Sequence, residues 1–419
     1  MLYYIKLFSK KNEHGWSMAM NQNVTKEINI GKIWFYILIV LIFMYGIIFP
    51  GVTYLQIDYL ALGFVVISIV GAFIEKKMKF DVALLFLFQA MFVCSLKDDM
   101  WGNRYEVCYG WILVSAYIIG KLSIGNLKGK DDKRVVISYF ALASGLLVTG
   151  IVDIIYNIAI GYFSTEWIVS IWTNETIGRT VYDLYGILMV SAIPYFVLQV
   201  IHKKRIAILG IIIAISYVVL MVRNEGRYCL FILLLLAPMM FCLYVYDRWD
   251  KFGENNKKII KMTFLSFVLF VIILGVSFKF NILGLKAIYK SSYLSSGGIL
   301  HNVRFKLAKE ALQKMPYYLQ GGYGEGLEFN AHNSWLEFGD KYGVIVFILL
   351  ECFRLIVIYD ALKFFIKRNN GAIRYLLLPA FIFINIYFSM EPIGFRRRLY
   401  FVIPMILFGI MKRECELSS

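Results

Sequence analysis

Charge is scarce in this sequence. Asp, Glu, Lys and Arg make up 17% of it, against roughly 25% in soluble domains. With 60% of the residues hydrophobic, a water-soluble fold of this length could not keep its apolar surface covered. Cysteine spacing is equally uninformative: Cys94, Cys108, Cys229, Cys242, Cys352 and Cys415 are scattered, with no CxxC pair. That excludes a disulfide framework and a zinc site. Residues 1–31 lack an apolar signal core and a small-residue cleavage site, so they read as a cytoplasmic tail before an uncleaved helix. There is no short-period repeat and no segment that could be cut out as a soluble domain.

What is there comes in long apolar blocks, such as the run from Ile33 to Pro50 and the run from Cys229 to Tyr246. Blocks near twenty residues match the hydrocarbon core of a bilayer, and a helix satisfies its own backbone there. The pattern predicts helices at 32–50, 53–74, 80–96, 105–121, 135–160, 180–201, 206–222, 228–246, 262–280, 343–366, 375–390 and 398–411. The fold class expected is an all-α integral membrane protein of about twelve spans. Nine spans fall in 32–280, a long outer loop follows at 281–342, three spans occupy 343–411, and 412–419 is a short cytoplasmic tail.

The net charge of +16 does not indicate nucleic acid, because the basic residues sit in short links between apolar blocks. Links at 75–81, 128–134, 202–205, 247–261 and 367–374 are lysine- and arginine-bearing and alternate with links poorer in lysine. By the positive-inside rule both termini are cytoplasmic and 281–342 is extracytoplasmic.

That outer loop is too long for a connector. Residues 301–316 have helical texture, with Val303, Leu307, Ala308, Ala311, Leu312 and Met315 on one face. A glycine turn follows at 321–326, and a new helical pattern from near His332 runs into the next span, which together make a hairpin lid. His332 precedes Asn333 and a stretch in which Gly339 and Gly343 form a small-residue pair suited to close helix approach. Histidine is suited to taking a proton from a hydroxyl; His301 has no comparable frame.

Seven arginines fall on the outer side: Arg179, Arg223, Arg227, Arg304, Arg396, Arg397 and Arg398. The last three run against the positive-inside rule, and guanidinium groups are good ligands for phosphate and pyrophosphate. Asp98 and Asp99 are better read as solvated than as a metal site. The glycines at 321–326 lack the preceding strand of a nucleotide fingerprint.

Three stretches together resemble the O-antigen polymerase and O-antigen ligase superfamily: the one opening at Arg223, the one from Arg304 through the glycine turn, and HNSWLEFGDKYGVIVF from His332. The resemblance covers roughly 179–360; the first half of the chain matches only in topology. It implies a membrane fold like that of the GT-C sugar transferases and an inverting, metal-independent glycosyl transfer without a cofactor. By the same resemblance His332 is the general base, and Arg304, Arg227, Arg223 and Arg179 bind the pyrophosphate. Either Arg223 or Arg227 can fill the family's arginine position. Arg396, Arg397, Arg398 and Asn333 are further candidate substrate contacts.

The expected activity is polymerisation of undecaprenyl-diphosphate-linked oligosaccharides at the outer face of the bacterial cytoplasmic membrane. The expected partners are the lipid-linked donor and acceptor, membrane lipids and a chain-length regulator, with no nucleic acid. Two alternatives stand beside it: a ligase passing the glycan to lipid A-core, and a flippase or other transporter. A transporter should carry charged residues inside its spans, and the apolar blocks look nearly free of them.

Overall fold

The structure, a computed structural model, describes residues 30–48, 57–74, 80–100, 104–124, 132–162, 167–171, 176–178, 180–202, 204–223, 227–255, 303–324, 333–366, 371–390 and 398–418, with isolated positions between 257 and 276. It is mostly helical. In chain order the helices are α1 (Ile30–Ile48), α2 (Ile57–Ile74), α3 (Val82–Met100), α4 (Arg104–Ile124), α5 (Asp132–Ala159), α6 (Thr180–Ser191), α7 (Ile193–Ile201), α8 (Ile206–Arg223) and α9 (Arg227–Arg248). After these come α10 (Val303–Lys314), α11 (Ser334–Tyr342), α12 (Val344–Ile366), α13 (Arg374–Met390) and α14 (Val402–Ser418).

Most of these helices lie within a few residues of the apolar blocks, because each block forms its hydrogen bonds within itself. The expected span at 262–280 lies largely outside the described residues. The block at 180–201 divides at Ala192, where Pro194 in the first turn of α7 has no N–H to continue the ladder. The segment from His332 is also two elements rather than one: Gly343 caps α11 at φ +94 and turns the chain into α12. A left-handed residue of this kind ends a helix.

The helices at the centre are apolar all round, as buried helices must be. From Ile112 to Ile124 α4 is almost wholly covered, and so is α14 from Val402 to Met411. They meet through glycines: a Cβ on Gly120 or Gly409 would run into the facing backbone at Ile406 or Tyr117. Between α1 and α5, a Cβ on Gly46 would stand 2.7 Å from the Leu142 carbonyl oxygen. The periphery is different. Leu62, Val66, Ile69 and Phe73 on α2 and Leu85, Phe88, Phe92 and Leu96 on α3 form outward-facing apolar stripes at helical spacing. Among the described residues, two helical stretches, Lys133–Ala159 and Val181–Ile201, are long and apolar enough to cross a membrane, and six other apolar helices are shorter.

Ionic contacts mark one end of the bundle. Lys121 at the end of α4 reaches both Asp81, which caps α3, and Glu416 of α14. Lys412 pairs with Asp360 of α12, and Arg374, opening α13, pairs with Asp247 at the end of α9. The residues read as a short tail from 412 continue α14 as far as Ser418, with Arg413 buried. A helix end places its charges where partners on neighbouring helix ends are within reach, and these four chain-distant pairs use that reach.

Candidate functional site

At the opposite end of the bundle several helix termini converge. Here α6 packs against α8, α9 and α13. Tyr217 of α8 donates to the Tyr182 carbonyl at 2.5 Å, and Tyr387 of α13 donates to Asp183 at 3.3 Å. These contacts bring the start of α6 to the last turns of α8 and α13. As backbone positions, Arg223 is the last residue of α8 and Arg227 the first of α9. Arg398 opens a short 3-10 turn, Arg398–Phe401, that leads into α14. Arg179, Arg396 and Arg397 lie outside the described residues. Arg304, the second residue of α10, is half-buried, and its Nη1 donates to the Met390 carbonyl at 2.9 Å. That bond fastens α10 to the end of α13 and occupies the exposed carbonyl a helix terminus leaves over.

The loop elements form a small apolar unit of their own. Ala308, Ala311 and Met315 of α10 and its 3-10 extension pack with Tyr323 and Leu336, and Leu307 is buried as well. Leu312, expected on the same face, is 50% exposed; it lies five residues from Leu307, past the turn that faces the core. Lys306 and Glu310 form the expected pair at 3.8 Å. The glycine turn wraps the end of α11: Gly322 N–H donates to the Asp340 carbonyl and Gly324 N–H to the Asp340 carboxylate, each at 2.6 Å. Lys97 at the end of α3 donates to the Gln320 carbonyl at 2.8 Å and ties the turn to the bundle. Tyr323 is fully buried, and burial pushes its phenol far above its usual range, so it stays protonated and donates to the Leu336 carbonyl.

Gly339 does allow a close approach, but to Tyr323 and to Phe347 of the adjoining helix. Gly343 serves the turn instead: it needs a positive φ, and a Cβ there would stand 2.7 Å from the Leu319 carbonyl oxygen. The two glycines therefore have different purposes, which spacing alone does not separate.

His332 and His301 lie outside the described residues. Asn333 is the N-cap of α11, with extended backbone, and its Oδ1 accepts from Trp335 N at 3.0 Å and Leu336 N at 3.2 Å. The side chain proposed for substrate contact is therefore satisfying two helix N–H groups. Asn333→Ala should cost about 1 kcal/mol of local stability, whereas Asn333→Asp, which keeps the capping oxygen, should cost far less. Thermal melting of the purified variants checks this; equal losses would mean that the amide nitrogen, not the cap, is what matters.

Two features have no counterpart in the sequence reading. The link at 161–179 contains an antiparallel hairpin, β1 (Trp167–Val169) and β2 (Thr176–Gly178), with Trp167 opposite Gly178. The Asn157 amide pairs with both backbone groups of Val169, and Asp153 accepts from Ile171 N at 3.1 Å. Asn157 thus acts as a third strand for the hairpin. The second feature is Glu351 with Arg354, an ion pair at 3.1 Å well inside α12. The apolar helices are therefore not free of charge in their middle turns. Among the described residues, no group of three or more His, Cys, Asp or Glu gathers in a way that could hold a metal.

Comparison with protein-family models finds no match, and comparison with the curated proteins finds none either.

Proposed function

We propose that the chain is a polytopic membrane protein of about twelve spans with a fold like that of the GT-C sugar transferases, acting in the bacterial cytoplasmic membrane. On this reading it polymerises undecaprenyl-diphosphate-linked repeat units at the outer face. The observation that carries it is the convergence at one end of the bundle of Arg304, the backbone positions of Arg223, Arg227 and Arg398, and the Asn333-capped start of α11. The basic links expected inside supply the charges of the other end, among them Asp81–Lys121 and Asp247–Arg374. The apolar stripes on α2 and α3 support the membrane reading, since a soluble monomer rarely exposes such faces.

The chemistry is a single displacement. An acceptor sugar hydroxyl attacks the donor's anomeric carbon opposite the diphosphate. The new glycosidic C–O bond forms as the bond to the diphosphate breaks, and undecaprenyl diphosphate leaves with the electron pair. His332 takes the hydroxyl proton, and arginines stabilise the charge growing on the leaving group. Inversion at the anomeric carbon follows from one displacement. The diphosphate is itself a competent leaving group, so the step draws on no redox or nucleotide cofactor.

One observation favours a second reading. A charged pair inside a span, as Glu351 and Arg354 form, is what a carrier of lipid-linked saccharide would have. Purified protein in liposomes with the lipid-linked repeat unit separates the two. A polymerase lengthens the glycan on the lipid, while a carrier moves it across the bilayer without making a glycosidic bond. In cells, deleting the gene should leave single repeat units on the terminal acceptor. Long lipid-linked polymer with no glycan on that acceptor would instead identify the ligase.

A further inference from the structure

Arg354 is the eleventh residue of the 23-residue helix α12, in otherwise apolar surroundings. Its guanidinium carbon sits 5.1 Å from the centre of the Trp335 ring. Its Nη1 donates to Glu351 at 3.1 Å and reaches Ser389 of α13 at 3.4 Å. Ser389 is fixed in turn by donating to the Asn385 carbonyl at 2.8 Å. One side chain therefore touches α11 and α13 while rooted in α12. Trp335 is fully buried, and its ring also meets Phe401 edge-on at 4.9 Å. The indole Nε1 and the Arg354 Nε have no hydrogen-bond partner among the described residues. Their contact is thus a cation–π approach of the guanidinium to the ring, not a hydrogen bond.

An ion pair in a low-dielectric setting is poor evidence for stability, since apolar residues of similar volume serve as well or better. A charged residue inside a span calls for a functional account. Trp335 supplies it. It is the second residue of α11, two after Asn333 and three after His332, so whatever holds its ring sets the direction in which the start of the helix points. Small displacements of a reacting group carry large penalties in rate.

We propose that Arg354 is a positioning residue: placed over the Trp335 ring and anchored by Glu351 and Ser389, it holds the Asn333-capped start of α11, which follows His332 in the chain, in the orientation that transfer requires. This rests on the transferase reading given above. The guanidinium meets Glu351, Ser389 and the ring at once, so lysine can restore the charge opposite Glu351 but not the whole set of contacts.

The test uses the full-length protein in liposomes with the lipid-diphosphate oligosaccharide as donor and acceptor. Arg354→Met should lower kcat by roughly 10- to 100-fold while the donor KM moves by less than about twofold. Arg354→Lys should recover only part of the loss, and Trp335→Phe, which keeps an aromatic face, should stay near the wild-type rate. Because Arg354 acts through the ring, Arg354→Met with Trp335→Leu should be no slower than the slower single variant. A second arm needs no transfer. Ala331→Cys is labelled with an impermeant maleimide, and Arg354→Met or Arg354→Lys in that background should change the labelling rate several-fold.

Unchanged kcat and labelling in the lysine and methionine variants would overturn the proposal, as would full additivity of the Arg354 and Trp335 losses. No transfer by the wild-type protein, with labelling still responding to Arg354, would count against the transferase reading and leave the brace of α11 supported.

Discussion

Replacing His332 with alanine should lower glycan transfer by about 10²- to 10⁴-fold, the contribution a positioned general base makes. The protein should still insert and purify in normal yield, because α11 keeps its cap: Asn333, not His332, satisfies the helix's first N–H groups. The loss should fall on kcat, with donor affinity little changed, since the arginines proposed to meet the diphosphate remain. His301→Ala should be much milder. Initial rates in liposomes measure both, and a near-wild-type rate for His332→Ala would remove histidine from the mechanism. A loss confined to KM would instead make His332 a binding group.

Substituting Lys121 with methionine should destabilise the fold by about 3–5 kcal/mol, the typical cost of removing one member of a buried ion pair. The Lys121 side chain is 0% exposed and holds two carboxylates, Asp81 and Glu416, the latter at 2.7 Å. Asp81 also caps α3 through Leu84 N at 2.9 Å and accepts from Tyr117 at 3.2 Å. Glu416 additionally meets Arg413 at 3.0 Å. Without the ammonium both carboxylates stay buried, and the last turns of α14 lose their hold on α3 and α4. Thermal melting in detergent should show a clearly lower midpoint. Replacing Asp81 and Glu416 with leucine as well should recover only part of the loss, because the apolar trio removes the uncompensated carboxylates but takes Glu416 from buried Arg413 and the capping oxygen from α3. A Lys121→Met protein that melts like the wild type would show that the three charges contribute no net stability.

Much of the helical content is legible in the sequence, because an apolar block makes its backbone hydrogen bonds within itself and needs no information from elsewhere. Breaks inside blocks are partly legible. Pro194 divides a helix by lacking an N–H, a local fact, yet the division at Gly343 also depends on Leu319, whose carbonyl meets Val344 N at 3.0 Å. The candidate site is legible as residue types near block ends, and their convergence is not. Arg304 reaches Met390, 86 positions further on. Asn333 is a candidate ligand in the sequence, and the geometry of its Oδ1 shows that it also caps α11.

Composition and periodicity alone determined that this chain is helical and that its basic residues cluster between apolar blocks, since both follow from short-range hydrogen bonding and the placement of charge along the chain. Tertiary structure decided which charges neutralise one another and which side chains meet across helices. Lys121 and Glu416 lie 295 positions apart, and Arg354 meets a ring on a different helix. Pairing of this kind depends on how helices pack, through contacts such as Gly120 on Gly409. Nothing in the neighbourhood of either residue along the chain encodes it.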